Sequence, residues 1–366
     1  MADTVLIAGA SGVVGLAAVE EFLEHGWNVV AISRRPPEVR SKRSFRHLAL
    51  DLRDATACRS ATRELGAVTH VIYAALFEKP GLIAGWQESD QMETNLKMLQ
   101  NLLEPLMEKE SLQHVSLLQG TKAYGIHLHP MPIPARERAP RDNHANFYWL
   151  QEDYLKEKST ERGFKFTIFR PQLIIGASYN VAMNLAPVIG AYAAICQELG
   201  ETFGFPGGVS YVWEAVDARL LAKVFRWATA TPAAASQHFN VTNGDVFEWR
   251  NLWPALASTL GVDVGPDKPR QMSTWLIDHA HVWDRIVVKH GLRKTTIAEI
   301  CGESHHYADF CFAYGATEPP PAVFVSTIKL RQAGFTEVQD TEEMFTYWLK
   351  DLIDRKILPP GAKRAQ

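Results

Sequence analysis

Thr4-Val5-Leu6-Ile7-Ala8-Gly9-Ala10-Ser11-Gly12-Val13-Val14-Gly15 is the stretch that decides the fold. Its first five residues form an apolar, β-branched run that predicts a strand. VVGLAAVEEFLEHG, from Val13 to Gly26, spaces its apolar residues for a helix closed by a glycine. Between them lies a GxxGxxG turn. Gly9 permits the tight turn, Gly12 lets backbone N–H groups approach a pyrophosphate, and Gly15 allows the helix to pack closely on the strand. The helix N-terminus adds a favourable dipole for phosphate. A bare glycine triplet says little, but a strand before it and a helix after it are what the mechanism demands. Gly9, Ser11, Gly12, Val13, Val14 and Gly15 are therefore the expected phosphate-side contacts of a dinucleotide.

The same alternation continues outward. NVVAIS, HLALDL, HVIYAA, HVSLLQG and FKFTIFRP are candidate strands. ATACRSATREL, Asn95–Glu108 (interrupted by Pro105) and Tyr148–Arg162 are candidate helices between them. Strands alternating with helices imply parallel strands joined by right-handed crossovers, so the expected class is α/β, a doubly wound parallel-sheet Rossmann fold. The later chain is less regular, with Pro and Gly clusters at Phe203–Gly208 and Val264–Arg270 and amphipathic helices rich in Trp and Phe. It predicts a smaller, mostly helical substrate-covering lobe. The expected division is 1–178 for the nucleotide-binding core, with part of 205–245 returning to it, and 179–204 with 246–366 for the lobe.

Composition narrows the function classes. With 38 basic against 41 acidic residues and a formal net charge of -3, there is no field to attract nucleic acid or an anionic membrane. Cys58, Cys196, Cys301 and Cys311 lie far apart without a CxxC pair, so neither a zinc site nor a disulfide framework is expected, and a reducing cytoplasm is the default. The N-terminus lacks the basic region of a secretory signal. No run reaches the ~18 uninterrupted apolar residues of a membrane span; Met183–Cys196 is expected as a buried or pocket-lining helix.

The second strand ends in Ser33-Arg34-Arg35, where NAD-binding folds commonly place an acidic residue for the ribose 2′-OH. Two guanidinium groups beside a hydroxyl suit a 2′-phosphate, which predicts NADP(H). Asp51, after HLALDL, is placed either to meet the adenine amino group or to cap the following helix. Leu52, Ala74, Ala75 and Gln119, at or just beyond strand ends, complete the expected contacts on this part of the chain.

Hydride transfer to a carbonyl or enone needs a proton donor or oxyanion stabiliser beside the nicotinamide. The YxxxK pair of short-chain dehydrogenases is missing: four residues after Tyr148 stands Glu152, and Lys122 lies after the strand HVSLLQG. QGTKAYG (Gln119–Gly125) and NFYWLQED (Asn146–Asp153) resemble two diagnostic motifs of the progesterone 5β-reductase/iridoid synthase-like enzymes, an atypical branch of the extended short-chain dehydrogenases. GASGVVG, SRRP, RPQLIIGASYNVAMN, FPGG and WLKDLIDRKILP agree with it, so the resemblance runs nearly end to end.

What the resemblance implies is specific. Lys122 matches the family lysine that stands where the missing YxxxK lysine would stand, and Tyr148 matches the tyrosine that meets the substrate carbonyl oxygen. Pro171 to Leu173 match the segment beside the nicotinamide. The implied activity is NADPH-dependent reduction of the C=C bond of α,β-unsaturated carbonyl compounds. Tyr148 would stabilise the enolate oxygen, and the Lys122 ammonium would lower the tyrosine pKa. Trp149 and Ala123 depart from the family's usual Tyr and His, which bears on pocket shape. Tyr124 is a second phenol, ranked below Tyr148. Two other functions compete: an NADPH-dependent carbonyl reductase or alcohol dehydrogenase using the same two residues, and a catalytically silent NADP-sensing protein. The partner expected is a small enone or carbonyl compound, and the dehydrogenase class often forms homodimers. Of the remaining polar residues, His305-His306 is expected as a solvated pair rather than a metal site, and Asn243-Gly244-Asp245 as a turn. Trp213, Trp249, Trp253 and Trp348 are expected in the core or a pocket wall.

Overall fold

The computed structural model describes residues 3–79, 86 and 88–361. In chain order its elements begin β1 (Thr4–Ala8), α1 (Val13–Glu24), β2 (Asn28–Ser33), β3 (Arg46–Ala49), α2 (Ala55–Arg63) and β4 (His70–Tyr73). They continue as α3 (Ser89–Met107), β5 (His114–Leu118), a 3₁₀ turn over Thr121–Tyr124, α4 (Phe147–Arg162), β6 (Lys165–Pro171) and β7 (Ile174–Ile175). Next come α5 (Leu185–Glu198), β8 (Val212–Trp213), β9 (Val216–Asp217), α6 (Ala218–Ala230), β10 (Gln237–Val241), β11 (Phe247–Glu248) and α7 (Trp249–Leu260). The chain closes with α8 (Met272–Asp278), α9 (Ala280–His290), α10 (Ile297–Cys301), α11 (Ser304–Cys311), α12 (Ile328–Gln332) and α13 (Thr341–Asp354).

Two compact units emerge: residues through 172 with 218–242 and 325–337, and residues 173–217 with 243–324 and 338 onward. The first contains a seven-stranded sheet in the order β10-β6-β5-β4-β1-β2-β3, with every pairing parallel. The doubly wound α/β fold is thus present. Val5, Leu6, Ile7 and Ala8 of β1 have no exposed surface, as a middle strand covered on both faces requires. Leu6 and Ala8 join Leu99, Leu102 and Leu103 of α3 and Leu155 of α4 in one core, while α1 packs beside α6. The strand order reverses between β1 and β4, so the turn after β1 and the end of β4 open at the switch point where such sheets bind ligands.

In the second unit α5 is buried from Leu185 to Cys196 and contacts α7, α9, α10, α11 and α13. Gly190 lets it approach the chain end, since a Cβ there would stand 2.1 Å from Leu358 Cδ1. Trp213, Trp249, Trp253 and Trp348 are all buried, and Trp253 stacks on Phe203 at 4.4 Å. The two units differ from the expected division. Residue 173 already belongs to the second unit because β7 pairs with β9, and 325–337 join the first because α12 packs on β10.

Several local expectations need correction. Pro105 does not interrupt α3, which starts at Ser89 and reaches Met107; the proline sits in the last turn, where little helix remains to break. Asn243 is no simple turn residue: its amide accepts from Asp217 N–H and donates to Thr341 Oγ, entirely buried, while Asp245 accepts the Thr341 N–H at the start of α13. His305 is buried and His306 exposed, so the pair is not solvated as a unit. All four cysteines are free and buried. Among the described residues no helix is long and apolar enough to cross a membrane.

Candidate active site

The glycine turn has the geometry that a dinucleotide needs. Gly9 adopts φ +80°, and a Cβ on it would lie 2.6 Å from the Ala74 carbonyl oxygen at the end of β4. A Cβ on Gly15 would lie 2.1 Å from the Gly9 carbonyl oxygen, so any side chain there would force α1 off the turn. The Gly9 and Ala10 N–H groups are tied to the Ile32 carbonyl of β2 at 2.9 and 3.0 Å. Gly12 caps α1 with no side chain of its own, which leaves the first N–H groups of the helix, from Val13 onward, facing outward for an anion. Ser11 and Val13 are half-buried beside it and Val14 is buried. This cradle of small residues, which a Cβ would fill, fits a pyrophosphate.

At the end of β2 the three candidate clamp residues separate. Ser33 is buried, and its hydroxyl donates to the Arg35 carbonyl within its own loop, with His47 Nε2 3.3 Å away. Its contribution is to close the loop; Arg34 and Arg35 stand exposed at the tip. Asp51 is held by Arg53 at 2.6 Å, which together with Arg34 keeps its carboxyl well below the usual range, at about 2. It does not cap α2: Asp54 does, accepting the Ala57 N–H at 2.9 Å. Arg53 also lies over the Phe77 ring at 5.6 Å. Leu52 is buried, and Ala74 and Ala75 are half-buried at the end of β4.

Lys122 and Tyr148 come together around a residue that the sequence did not single out. The Lys122 ammonium lies 3.4 Å from the centroid of the Trp86 indole, and the Tyr148 ring meets the same indole edge-on at 5.4 Å. Trp86 Nε1 donates to Glu78 at 2.6 Å. Burial pushes the Lys122 pKa down to about 8, against the opposing pull of Glu78. The Tyr148 hydroxyl stands over Gly120, 3.2 Å from where a Cβ of that residue would be, and it makes no hydrogen bond among the described residues. Its pKa is pushed up, by burial first and Glu78 second; Arg170, not Lys122, is the cation that opposes this. The expected lowering of the tyrosine pKa by Lys122 is therefore absent, and Tyr148 is a neutral phenol. Tyr124 is committed elsewhere, donating to Asn240 Oδ1 at 2.7 Å in full burial.

The sequence profile of the NAD dependent epimerase/dehydratase family matches residues 5–242. The chain belongs to that family. Within it, the chain is a member of the progesterone 5β-reductase/iridoid synthase-like branch. The (S)-8-oxocitronellyl enol synthase of Antirrhinum majus is 30% identical over 97% of this chain and 92% of its own. An (S)-8-oxocitronellyl enol synthase of Nepeta cataria, ISY2, is 30% identical over 97% and 91%, and the short chain dehydrogenase gsfE of Penicillium aethiopicum 30% over 94% and 96%. Solved structures agree in fold. A Thermus thermophilus UDP-glucose 4-epimerase complexed with NAD has a TM-score of 0.64 at 18% identity, covering 95% of this chain and 98% of that one. The epimerase Mth375 of Methanothermobacter thermautotrophicus has a TM-score of 0.68 at 14% identity, covering 96% and 94%. The protein is an oxidoreductase of the short-chain dehydrogenase/reductase type that uses a nicotinamide cofactor.

In this reductase the place of the YxxxK lysine is filled by a buried carboxylate with its own neighbours. Glu152 is 3% exposed. It accepts from Gln119 Nε2 at 2.9 Å and Lys156 Nζ at 2.6 Å, with Arg141 at 3.0 Å and His238 Nε2 at 3.2 Å. Burial alone would raise its pKa, but the nearby His238 ring and the bonds from Lys156 and Gln119 hold it well below the usual carboxylate range. Arg170 Nε donates to Gln119 Oε1 at 2.8 Å, so the Gln119 side chain is spent bridging β6 to α4, leaving only its surroundings for a cofactor. Trp149 lies under Arg141 at 4.7 Å within this network, and Ala123 and Trp149 pack in the same apolar cluster as Trp86 and Tyr148. Pro171 ends β6, and Leu173 follows with φ +23°, a conformation branched residues rarely adopt. Trp86 had no legible signal, standing alone in a segment without periodicity; Glu152 was legible only as the residue replacing a lysine.

Among the described residues no group of three or more His, Cys, Asp or Glu side chains is placed to hold a metal.

Proposed function

We propose that the protein reduces the C=C bond of α,β-unsaturated carbonyl compounds with NADPH. The observation that carries this is the Tyr148 phenol: neutral, without a hydrogen-bond partner among the described residues, in front of Gly120, with Glu152 where a YxxxK lysine would stand. Reducing a ketone leaves an alkoxide, which must receive a full proton and needs a relay to replace it. Reducing an enone at its β-carbon leaves an enolate, a weaker base that a well-placed hydrogen bond stabilises. A phenol that holds its proton tightly and lacks the lysine four residues on suits the second task. Relatives named for making an enol support the same reading, since an enol is the protonated form of the enolate that hydride addition to the β-carbon leaves.

Gly9, Gly12, Gly15 and the N–H groups from Val13 would hold the pyrophosphate, with Arg34 and Arg35 on a 2′-phosphate. When bound, the cofactor supplies the hydride for the β-carbon. Tyr148 orients the substrate by its carbonyl oxygen and stabilises the charge that develops there. Lys122, kept cationic at neutral pH against the Trp86 face, adds positive potential to the same pocket. The substrate is a small molecule.

The test offers the purified protein NADPH with 2-cyclohexen-1-one, progesterone and a simple aldehyde, and identifies the products by mass and NMR. Saturated ketone is the expected product. Allylic alcohol would make it a carbonyl reductase, and tight NADPH binding without oxidation a sensor. Tyr148→Phe is expected to lower kcat by roughly 10²- to 10³-fold while leaving NADPH affinity nearly unchanged.

A further inference from the structure

Next to Lys122 and Tyr148 runs a line of polar side chains that the proposed reaction does not use. Asp142 Oδ1 accepts from His144 Nδ1 at 2.7 Å, and its Oδ2 lies 2.9 Å from His129 Nε2. His129 turns its other nitrogen to the Pro130 carbonyl at 3.1 Å, so both of its ring nitrogens face acceptors; its pKa is raised, by that carbonyl first. Gly125, at φ +74°, makes room for the arrangement, because a Cβ there would stand 2.5 Å from His129 Nε2 and 2.9 Å from Asp142 Oδ2.

The proton on His144 Nδ1 is committed to Asp142, so Nε2 presents a lone pair. That lone pair lies 3.0 Å from Asn146 Nδ2, and both side chains are buried. The contact fixes which way the Asn146 amide points. Nδ2 also donates to the Lys122 carbonyl at 3.4 Å, while Oδ1 accepts the Tyr148 N–H at 3.0 Å. A reversed amide would set oxygen against the Lys122 carbonyl and against the His144 lone pair, and nitrogen against the Tyr148 N–H.

We propose that Asn146 and His144 are positioning residues of this reductase: His144, oriented by Asp142, locks the Asn146 amide, which ties the Lys122 turn to the first turn of α4 and sets where the Tyr148 phenol stands. The bond to the Lys122 carbonyl is the longest of the set, so the His144 lone pair is what keeps Nδ2 in place. The turnover readout rests on the enone-reduction reading; the geometry does not.

His144→Phe keeps the ring and removes the lone pair, and His144→Gln returns an acceptor oxygen. With an enone that the wild type reduces, His144→Phe is expected to lower kcat on the order of 10- to 100-fold, as displacement of a reacting group does, while KM and NADPH affinity stay within about two-fold. His144→Gln is expected to recover most of the loss. Independently of turnover, amide hydrogen exchange at Tyr148 and Trp149 should quicken by roughly ten-fold in the Phe variant and return in the Gln variant, with the rest of α4 unchanged. Wild-type kcat and exchange in His144→Phe, or equal impairment of the Gln variant, would overturn the proposal. Should the Phe variant not fold, Asn146→Asp decides: it keeps the acceptor for the Tyr148 N–H but loses the donor, so full activity there overturns the proposal and a kcat loss at unchanged melting temperature supports it. If the wild type reduces no enone, the functional reading falls, and the exchange comparison still decides the positioning.

Discussion

The Lys122 ammonium lies 3.4 Å from the centroid of the Trp86 ring, with Tyr148 against the same indole. A buried cation held on an aromatic face is one that titrates within reach of ordinary buffers. Burial pushes its pKa down to about 8, so it is charged below that pH and neutral above it. Turnover of an enone that relies on this charge is expected to fall as pH rises through about 8. A pH–kcat profile of the wild type beside Lys122→Arg checks it, because the arginine stays charged; a descending limb that survives in Lys122→Arg would assign the titration to another group.

Arg34 and Arg35 stand exposed at the tip of the loop that Ser33 closes. Each charge-assisted bond to a 2′-phosphate contributes about 1.5–3 kcal/mol. Arg34→Ala and Arg35→Ala are therefore each expected to weaken NADPH by roughly 10- to 100-fold and NADH by much less. Calorimetric titration with both cofactors measures the difference; equal losses would remove the 2′-phosphate assignment.

Glu152 sits among Arg141, Lys156, Arg170 and His238 with almost no exposed surface. Glu152→Lys writes YxxxK back into the sequence, yet it places a fifth basic group in a buried cluster that has lost its carboxylate. Breaking such a cluster costs about 3–5 kcal/mol. The variant is expected to unfold or aggregate rather than gain alcohol dehydrogenase activity, as thermal melting and an alcohol oxidation assay would report.

His114 lies in the sheet core with Nε2 on Thr167 Oγ at 2.9 Å and, among the described residues, no hydrogen bond at Nδ1. Thr167 gives its own proton to the Ala234 carbonyl, so His114 Nε2 is the donor. Burial, with His70 beside it, depresses its pKa to about 3 from 6.5. A depressed histidine pKa means the unfolded chain binds the extra proton first, so stability is full above pH 6.5 and is lost as pH falls towards 3. At pH 5 the loss from His114 is about 2 kcal/mol. Melting temperatures at pH 7.5 and 5 should diverge less in His114→Asn than in the wild type.

The order of elements through β6 was legible in the sequence, because short apolar runs mark the strands and stretches of helical periodicity fill the intervals between them. The glycine turn was equally legible: Gly9 and Gly15 are local demands of backbone geometry, and no distant residue is needed to recognise them. Helix ends were less so. Asp51 and Asp54 both suit a cap, and only the placement of Arg53 decides that Asp51 is otherwise engaged. Tyr148 and Lys122 stood out only through resemblance, since a lone Tyr and a lone Lys carry no spacing signal.

What tertiary structure alone decided is the company those residues keep. Trp86 reaches Lys122 across 36 positions of sequence, and Glu152 gathers partners from Gln119 just after β5, from β6 and from β10. These contacts join residues distant in sequence that the fold brings together, and they set the charge of each group. By itself the sequence determined a dinucleotide turn, a basic loop and a parallel sheet, all of which arise from neighbours along the chain. The neutral phenol of Tyr148, the depressed ammonium of Lys122 and the buried Glu152 arise from neighbours in space, where burial and opposing charge outweigh anything local spacing encodes.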